Sequence, residues 1–267
     1  MTAALDFSFD RIARQYDAQR AHPPDVAAQI GTVIADIAGS NARVLELGIG
    51  TGRIAQPVAA AGCRVIGIDL AAEMVRIAQG QGIADLIRGD IADLPLRDRS
   101  VDAVLLVHVL HLVRDWRGAL AEAVRVLRSD GVLMEGRDWR DPNSCAALIR
   151  SKLREVAMRL VPGVRPPAAG AATDQALIKL GATATDERIA AMWTQQISPA
   201  AILDQMARRA DSETWAMPPD LLDQALLQVR AWAGATWPDL DAPQDVQQRF
   251  VLRISRGAWH TAEAEQL

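Results

Sequence analysis

Apolar residues at Ile12, Val26, Ile30, Val33, Ile34 and Ile37 recur at helical spacing and predict helix over residues 10–38. The Pro23-Pro24 pair interrupts that stretch. A short helix, a break near His22 and a second helix from about Pro24 are therefore expected. The pattern then changes. Continuous apolar runs at 43–47, 63–68, 86–88, 101–107 and 132–135 read as buried strands. Helical stretches at 53–61, 72–79 and 116–127 separate them, the last stopped by Asp130-Gly131. This alternation predicts an α/β fold, a doubly wound and mostly parallel Rossmann-like sheet.

Past Gly136 the alternation fades. Residues 141–180 are helical but broken at Pro162 and Pro166-Pro167, and 187–193 fits a sixth strand. Residues 198–236 are helical again and rich in Trp. At 250–255, Phe250, Leu252 and Ile254 alternate as in a seventh, terminal strand. The expected organisation is N-terminal cap helices (1–38), a ligand-binding core (39–140) and a C-terminal part (141–267). That last part would hold two helical insertions, about 141–180 and 198–248, besides the last two strands. The segments outside the sheet are expected to gather as a helical cap.

Composition narrows the class. The chain has 267 residues, half of them hydrophobic, which provides for a sizeable core. Lys+Arg number 29 against 33 Asp+Glu, a net charge of −4 without basic blocks, so no nucleic-acid partner is expected. Cys63 and Cys145 cannot form a disulfide scaffold or zinc cluster. No apolar run approaches the ~18 residues of a membrane span, and Asp6 and Asp10 do not suit a signal peptide. A cytoplasmic enzyme or binding domain is expected. GxxxxGK[ST], GxSxG, HExxH and CxxC are all missing from the sequence.

Glu46-Leu47-Gly48-Ile49-Gly50-Thr51-Gly52 lies where the first strand turns into a helix. Such a turn should expose backbone N–H groups and let a ligand approach closely. The spacing is GxGxG, with Arg53 where a dinucleotide fingerprint has its third glycine. Glu46 would lie beside an anionic pyrophosphate, but suits a ligand carrying an ammonium group. Asp69 ends the second strand and Asp90 follows the third, so the three acids should share one crevice at the strand ends.

With these residues the chain resembles the class I S-adenosylmethionine-dependent methyltransferases over about 40–137. It is most similar to the small-molecule branch that includes the ubiquinone/menaquinone-biosynthesis type. The resemblance implies a seven-stranded sheet with an antiparallel last strand, and S-adenosyl-L-methionine as cofactor. It implies that Glu46, Gly48, Ile49, Gly50 and Gly52 hold the methionine portion. Asp69 would bind both ribose hydroxyls, Leu70 and Met74 would line the adenine, and Asp90 would accept its amino group beside Ile91. Val107 would also meet the cofactor. Arg125-Val126-Leu127-Arg128-Ser129-Asp130-Gly131 resembles the family's "RVL+PGG" turn, with Ser129-Asp130 departing from Pro-Gly. Tyr16 and Arg20 fall where the family's N-terminal segment closes over the cofactor.

His108 and His111 follow the fourth strand, where the transferable methyl should sit, and are candidate general bases. His111 is the preferred one, since the family commonly has His there. Without acid partners the pair is no metal site. Trp139 could line a substrate pocket, while Trp193, Trp215, Trp232 and Trp237 could build an apolar cap. The proline pairs lie away from the fourth strand, unlike the tetrad of amino-methylating DNA enzymes. The expected activity is methyl transfer to an O, N or C nucleophile of a small molecule. An NAD(P)-dependent oxidoreductase and a non-catalytic methyltransferase-like binding protein are the alternatives, and the oligomeric state stays open.

Overall fold

The computed structural model of the chain describes residues 21–160, 170–209, 214 and 217–260. Helix α1, Pro24–Ala38, opens at the second of the two prolines, whose fixed φ suits a first helical position. It buries Val26, Ile30 and Ile34 on one face. Then come β1 (Arg43–Leu47), α2 (Ala55–Ala60), β2 (Arg64–Asp69), α3 (Ala72–Gly80), β3 (Asp85–Arg88) and β4 (Val101–Val107). A single 3-10 turn at Leu110–Leu112 leads to α4 (Trp116–Val126) and β5 (Leu127–Arg140). The rest is α5 (Cys145–Leu160), α6 (Gly170–Lys179), β6 (Ala182–Ile197), α7 (Pro199–Ala207), α8 (Pro219–Thr236) and β7 (Gln244–Gly257).

The seven strands form one sheet in the order β3-β2-β1-β4-β5-β7-β6, mostly parallel with β7 antiparallel. β1 pairs in parallel with both β2 and β4, so strand order reverses across it. Ligands of doubly wound sheets bind outside the carboxyl ends at such a reversal. One sheet face carries Leu45, Leu47, Ile66, Ile68, Val104, Leu106 and Leu133 against Ala119, Leu120, Ala123 and Val124 of α4 and Leu177 of α6. Each large side chain so buried stabilises by ~1.5–3 kcal/mol.

The last three strands exceed their expected lengths: β5 has 14 residues, β6 16 and β7 14. Most of β6 is exposed, so it carries little apolar signal to read. Helix α4 ends at Val126, and the expected turn is an irregularity within β5. Leu127 pairs with Val101 and Val132 with Ala103, leaving residues 128–131 to loop out between them.

By packing, the described residues fall into two compact units. The larger comprises 21–138, 170–191 and 250–260. The smaller comprises those within 139–167 and 192–249. It has its own core, in which Ile149, Leu153 and Val156 of α5 meet Ile202 and Met206 of α7 and Leu222 and Val229 of α8. Trp232 and Trp237 join it edge to face at 5.4 Å. Trp139 stacks under the Arg249 guanidinium at 4.3 Å. Trp215 lies outside the described residues. Among the described residues no helix is long and apolar enough to cross a membrane.

Candidate functional site

The carboxyl ends of β1 and β2 bring the glycine loop and Asp69 together. Gly48, Gly50 and Gly52 all have positive φ (70°, 56° and 87°), and a Cβ on Gly48 would lie 2.4 Å from Val109 Cγ2. Only glycine lets the loop lie this close to the segment after β4. Four of the loop's N–H groups, however, are spent inside the protein. Those of Gly48 and Ile49 both donate to the Ile68 carbonyl at 2.9 and 3.0 Å, and that of Gly52 to the Ile49 carbonyl at 3.1 Å. That of Gly50 donates to Asp69 Oδ2 at 2.9 Å. These four donors are therefore not exposed, because the loop closes on the end of β2.

Asp69 also accepts from Ala71 N at 2.9 Å and stays half-buried. A carboxylate has about four lone-pair sites, so hydroxyl donors can still be taken. Leu70 beside it is 69% exposed, an apolar side chain open to a ligand. Met74 and Ile91 are buried, Ile91 in the core under the sheet, and Ile49 packs on Gly67. Val107 is buried at the end of β4. Asp90 is exposed and accepts from Ala92 N at 2.9 Å, a local turn that presents the carboxylate.

Glu46 is 3% exposed, and its Oε2 has no hydrogen-bond partner among the described residues. Burial raises its pKa against the pull of Arg53. The Asp69 charge adds to the rise and the Ala55 N–H opposes it, for a result of about 8. Arg53 is the cation acting on this carboxylate within the chain, and its pull does not offset the burial.

At the carboxyl ends of β4 and β5 the structure assembles a second group. His108 has φ 52°, a left-handed conformation rare outside glycine and recurrent at functional sites. Its Nε2 lies 3.0 Å from Asp138 Oδ2. His22, just ahead of α1, places Nε2 2.8 Å from Asp138 Oδ1 and its ring edge-on to Phe250 at 5.5 Å. Arg53 reaches the same place, its Nη2 3.9 Å from Asp138 Oδ2 and its Nη1 3.4 Å from both ring nitrogens of His22. Burial alone would raise the Asp138 pKa, but the hydrogen bonds of His108 and His22 and the Arg53 charge hold it well below the usual range.

The two histidines after β4 are thus not equivalent: His108 has an acid partner, contrary to expectation, whereas His111 is exposed on the 3-10 turn. Asp138 was missed because it lies beyond the apolar run of β5. The period-2 series Met134, Gly136, Asp138 was its one trace in the sequence. Arg53, read as a missing glycine, is the cation of this group. Tyr16 and Arg20 lie outside the described residues.

Beside His108 opens a crevice of about 240 Å³. Leu106, Val109 and Leu110 form an apolar wall; Glu135, Arg137, Thr173 and Arg253 form a polar one; both histidines border it. Arg253 pairs with Asp174 and lies 3.5 Å from Glu135 Oε2. Burial raises the Glu135 pKa against the pull of Arg253 and Arg137. Among the described residues no cluster of His, Cys, Asp and Glu is arranged to hold a metal ion.

A methyltransferase-domain family profile matches residues 45–134. A demethylmenaquinone methyltransferase of Tropheryma whipplei is 33% identical over 172 residues, covering 60% of this chain and 69% of the relative. A malonyl-[acyl-carrier protein] O-methyltransferase of Yersinia pestis is 33% identical over 134 residues, covering 49% of each chain. Among solved structures, a possible histamine N-methyltransferase from Thermotoga maritima shares the fold. Its TM-score is 0.51 at 18% identity, over 93% of this chain and 98% of that one.

Proposed function

This chain belongs to the class I S-adenosylmethionine-dependent methyltransferases, and from that premise we propose how its own residues serve methyl transfer to an oxygen, nitrogen or carbon nucleophile of a small molecule. The cofactor supplies an electrophilic methyl group on a sulfonium. Glu46 faces its ammonium group, Asp69 takes the ribose hydroxyls, Asp90 accepts from the adenine amino group, and Leu70 covers the ring. Gly48, Gly50 and Gly52 keep the loop thin where the methionine portion passes, with Val107 beside it. The residues fit that cofactor on one observation above all: a buried Glu46 with one oxygen unpartnered among the described residues, next to a loop in which four N–H groups already donate inside the protein. A pyrophosphate requires the reverse, free N–H donors and no adjacent acid. This speaks against the nicotinamide alternative.

The named relatives act on different acceptors at equal identity, so the acceptor is read from the crevice. About 240 Å³ is some one and a half times the ~150 Å³ cavity that holds benzene. Its charged wall supports a small, polar acceptor rather than an extended apolar one. His108 and His111 are the available bases, worth ~10²–10⁴-fold where the nucleophile must lose a proton. Two buried, unpaired thiols, Cys63 and Cys145, suit a reducing cytoplasm.

Titration calorimetry with S-adenosyl-L-methionine and, separately, NADPH tests this reading. Micromolar binding of the first alone is expected, with Asp69→Ala weakening it more than ~10-fold, ~1.4 kcal/mol. Binding of NADPH alone would overturn it. A radiolabelled methyl-transfer screen against pooled polar metabolites then separates an enzyme from a binding protein.

A further inference from the structure

The two edges of the sheet are unlike. β3 closes one of them with only four residues. β6 ends the other with 16, so its outer N–H and C=O groups meet no further strand of this sheet. A long open edge is a template for pairing with another chain, and proteins commonly keep such edges short or charged. Thr183 to Ile189 of β6 are all exposed, so neither face of the strand is covered there.

Contacts with neighbouring strands settle the faces of β6. Thr185 Oγ1 lies 3.3 Å from Ser255 Oγ, and Glu187 pairs with Arg137, which borders the crevice. Thr185, Glu187 and Ile189 share that face, and Asp186 and Arg188 share the other. Ile189 is an apolar side chain left 47% exposed. The strand carries its charges consecutively, as Asp186, Glu187 and Arg188.

We propose that β6 pairs with β6 of a second copy of this chain, antiparallel about a two-fold axis at Glu187, to make one continuous sheet. Such an axis stands normal to the sheet and keeps each strand's faces, so residues opposite one another differ by an even number. Arg188 is the one base of the strand, and Asp186 is the acid on its face. Setting these two opposite each other fixes the axis at Glu187, and symmetry then makes the pair twice. Thr185 falls opposite Ile189, two β-branched side chains that suit a cross-strand pair. The two Glu187 carboxylates approach at the axis, each with its own Arg137 beside it. Moving the axis to Arg188 sets base against base, and moving it to Asp186 sets acid against acid. With the axis at Ile189, Arg188 faces the buried Ala190 instead. The charges that repel an unrelated edge are therefore matched to their own copy in a single register.

Sedimentation equilibrium on the full chain should show a dimer that dissociates on dilution, by mass action. Asp186→Arg and Arg188→Asp each place like charges opposite one another twice, and each should weaken the dimer at least ~10-fold. Mixed in equal amounts, the two variants should regain wild-type affinity, because the bases of one chain then face the acids of the other. The double exchange, Asp186→Arg with Arg188→Asp, should dimerise as the wild type does. A wild type that is monomeric at about 100 µM, a dimer indifferent to either single exchange, or single variants that mixing does not restore would each overturn the proposal. Should a single variant not fold, hydrogen exchange on the wild type decides. Amides of residues 183–191 should be better protected at about 100 µM than at about 1 µM, and equal protection at both overturns the pairing.

Discussion

Two carboxylates in the larger unit are both withdrawn from water, Glu46 fully and Asp138 in large part, and their ionisation goes opposite ways. Glu46 on β1 rises to about 8, whereas Asp138 on β5 falls well below its usual value. Burial pushes both up. The difference is in what stands beside them. Asp138 has two imidazoles and a guanidinium around its oxygens. Glu46 has one buried oxygen without a hydrogen-bond partner and the Asp69 charge nearby. At Asp138 the neighbouring cations and donors outweigh burial; at Glu46 the pull of Arg53 does not. That contrast separates a carboxylate stabilised as a charge within the chain from one that is not.

The largest expected effect comes from removing the unsatisfied charge. A carboxyl whose folded pKa is about 8 against an ordinary 4.5 favours the folded state while protonated. That stability is complete below the ordinary value and is lost as pH rises to about 8. Glu46→Gln keeps the shape and removes the titration. Urea unfolding should find the variant more stable than wild type by roughly 3–5 kcal/mol at pH 8.5, with the gain shrinking towards zero near pH 4. A pH-independent difference would mean that Glu46 does not carry the burial cost. The same variant should bind S-adenosyl-L-methionine more weakly, so stability and ligand affinity move in opposite directions.

Asp138→Asn should show the opposite slope. Its folded pKa is depressed, so the stability it contributes is present above the ordinary carboxylate range and is lost as pH falls through the depressed value. At pH 7 the variant should lose ~1.5–3 kcal/mol, the usual contribution of hydrogen bonds to a charged group. The gap should close in strong acid. If both variants changed stability with the same pH slope, the contrast between the two carboxylates would fail.

These two sites also differ in how far they could be read before folding. Glu46 and the glycine loop are contiguous, and Asp69 lies one helix and one strand further on, so spacing alone brought them together. The loop's hydrogen bonding was not legible, since it depends on the Ile68 carbonyl of a neighbouring strand. The Asp138 group joins positions 30 and 116 residues apart in sequence, and nothing local marks them as neighbours. The order of β1 to β5 followed from apolar runs. The length of β6 did not, because an exposed strand is held by its ladder and by polar pairs such as Gln247 Nε2 to Thr194 at 2.8 Å. Met74 and Ile91 are buried, Ile91 within the core cluster, and burial of a single apolar side chain is not legible from its place in the sequence.

The smallest effect sharpens the comparison with a carboxylate that stays exposed. Asp90 is exposed, and among the described residues its carboxylate makes a local contact to Ala92 N at 2.9 Å, which an amide oxygen can replace. Asp90→Asn should leave stability within ~0.5 kcal/mol of wild type, as for surface changes in general. If Asp90 receives the adenine amino group, the amide oxygen still accepts it, but without the charge. Affinity for S-adenosyl-L-methionine should then fall roughly two- to fivefold, ~0.4–1 kcal/mol. Adenosine, which lacks the methionine portion, should lose the same factor, because the contact lies at the far end of the ligand from Glu46. An equal loss for both ligands places the adenine at Asp90, whereas no loss for either would leave Asp90 outside the crevice and require another partner for that amino group.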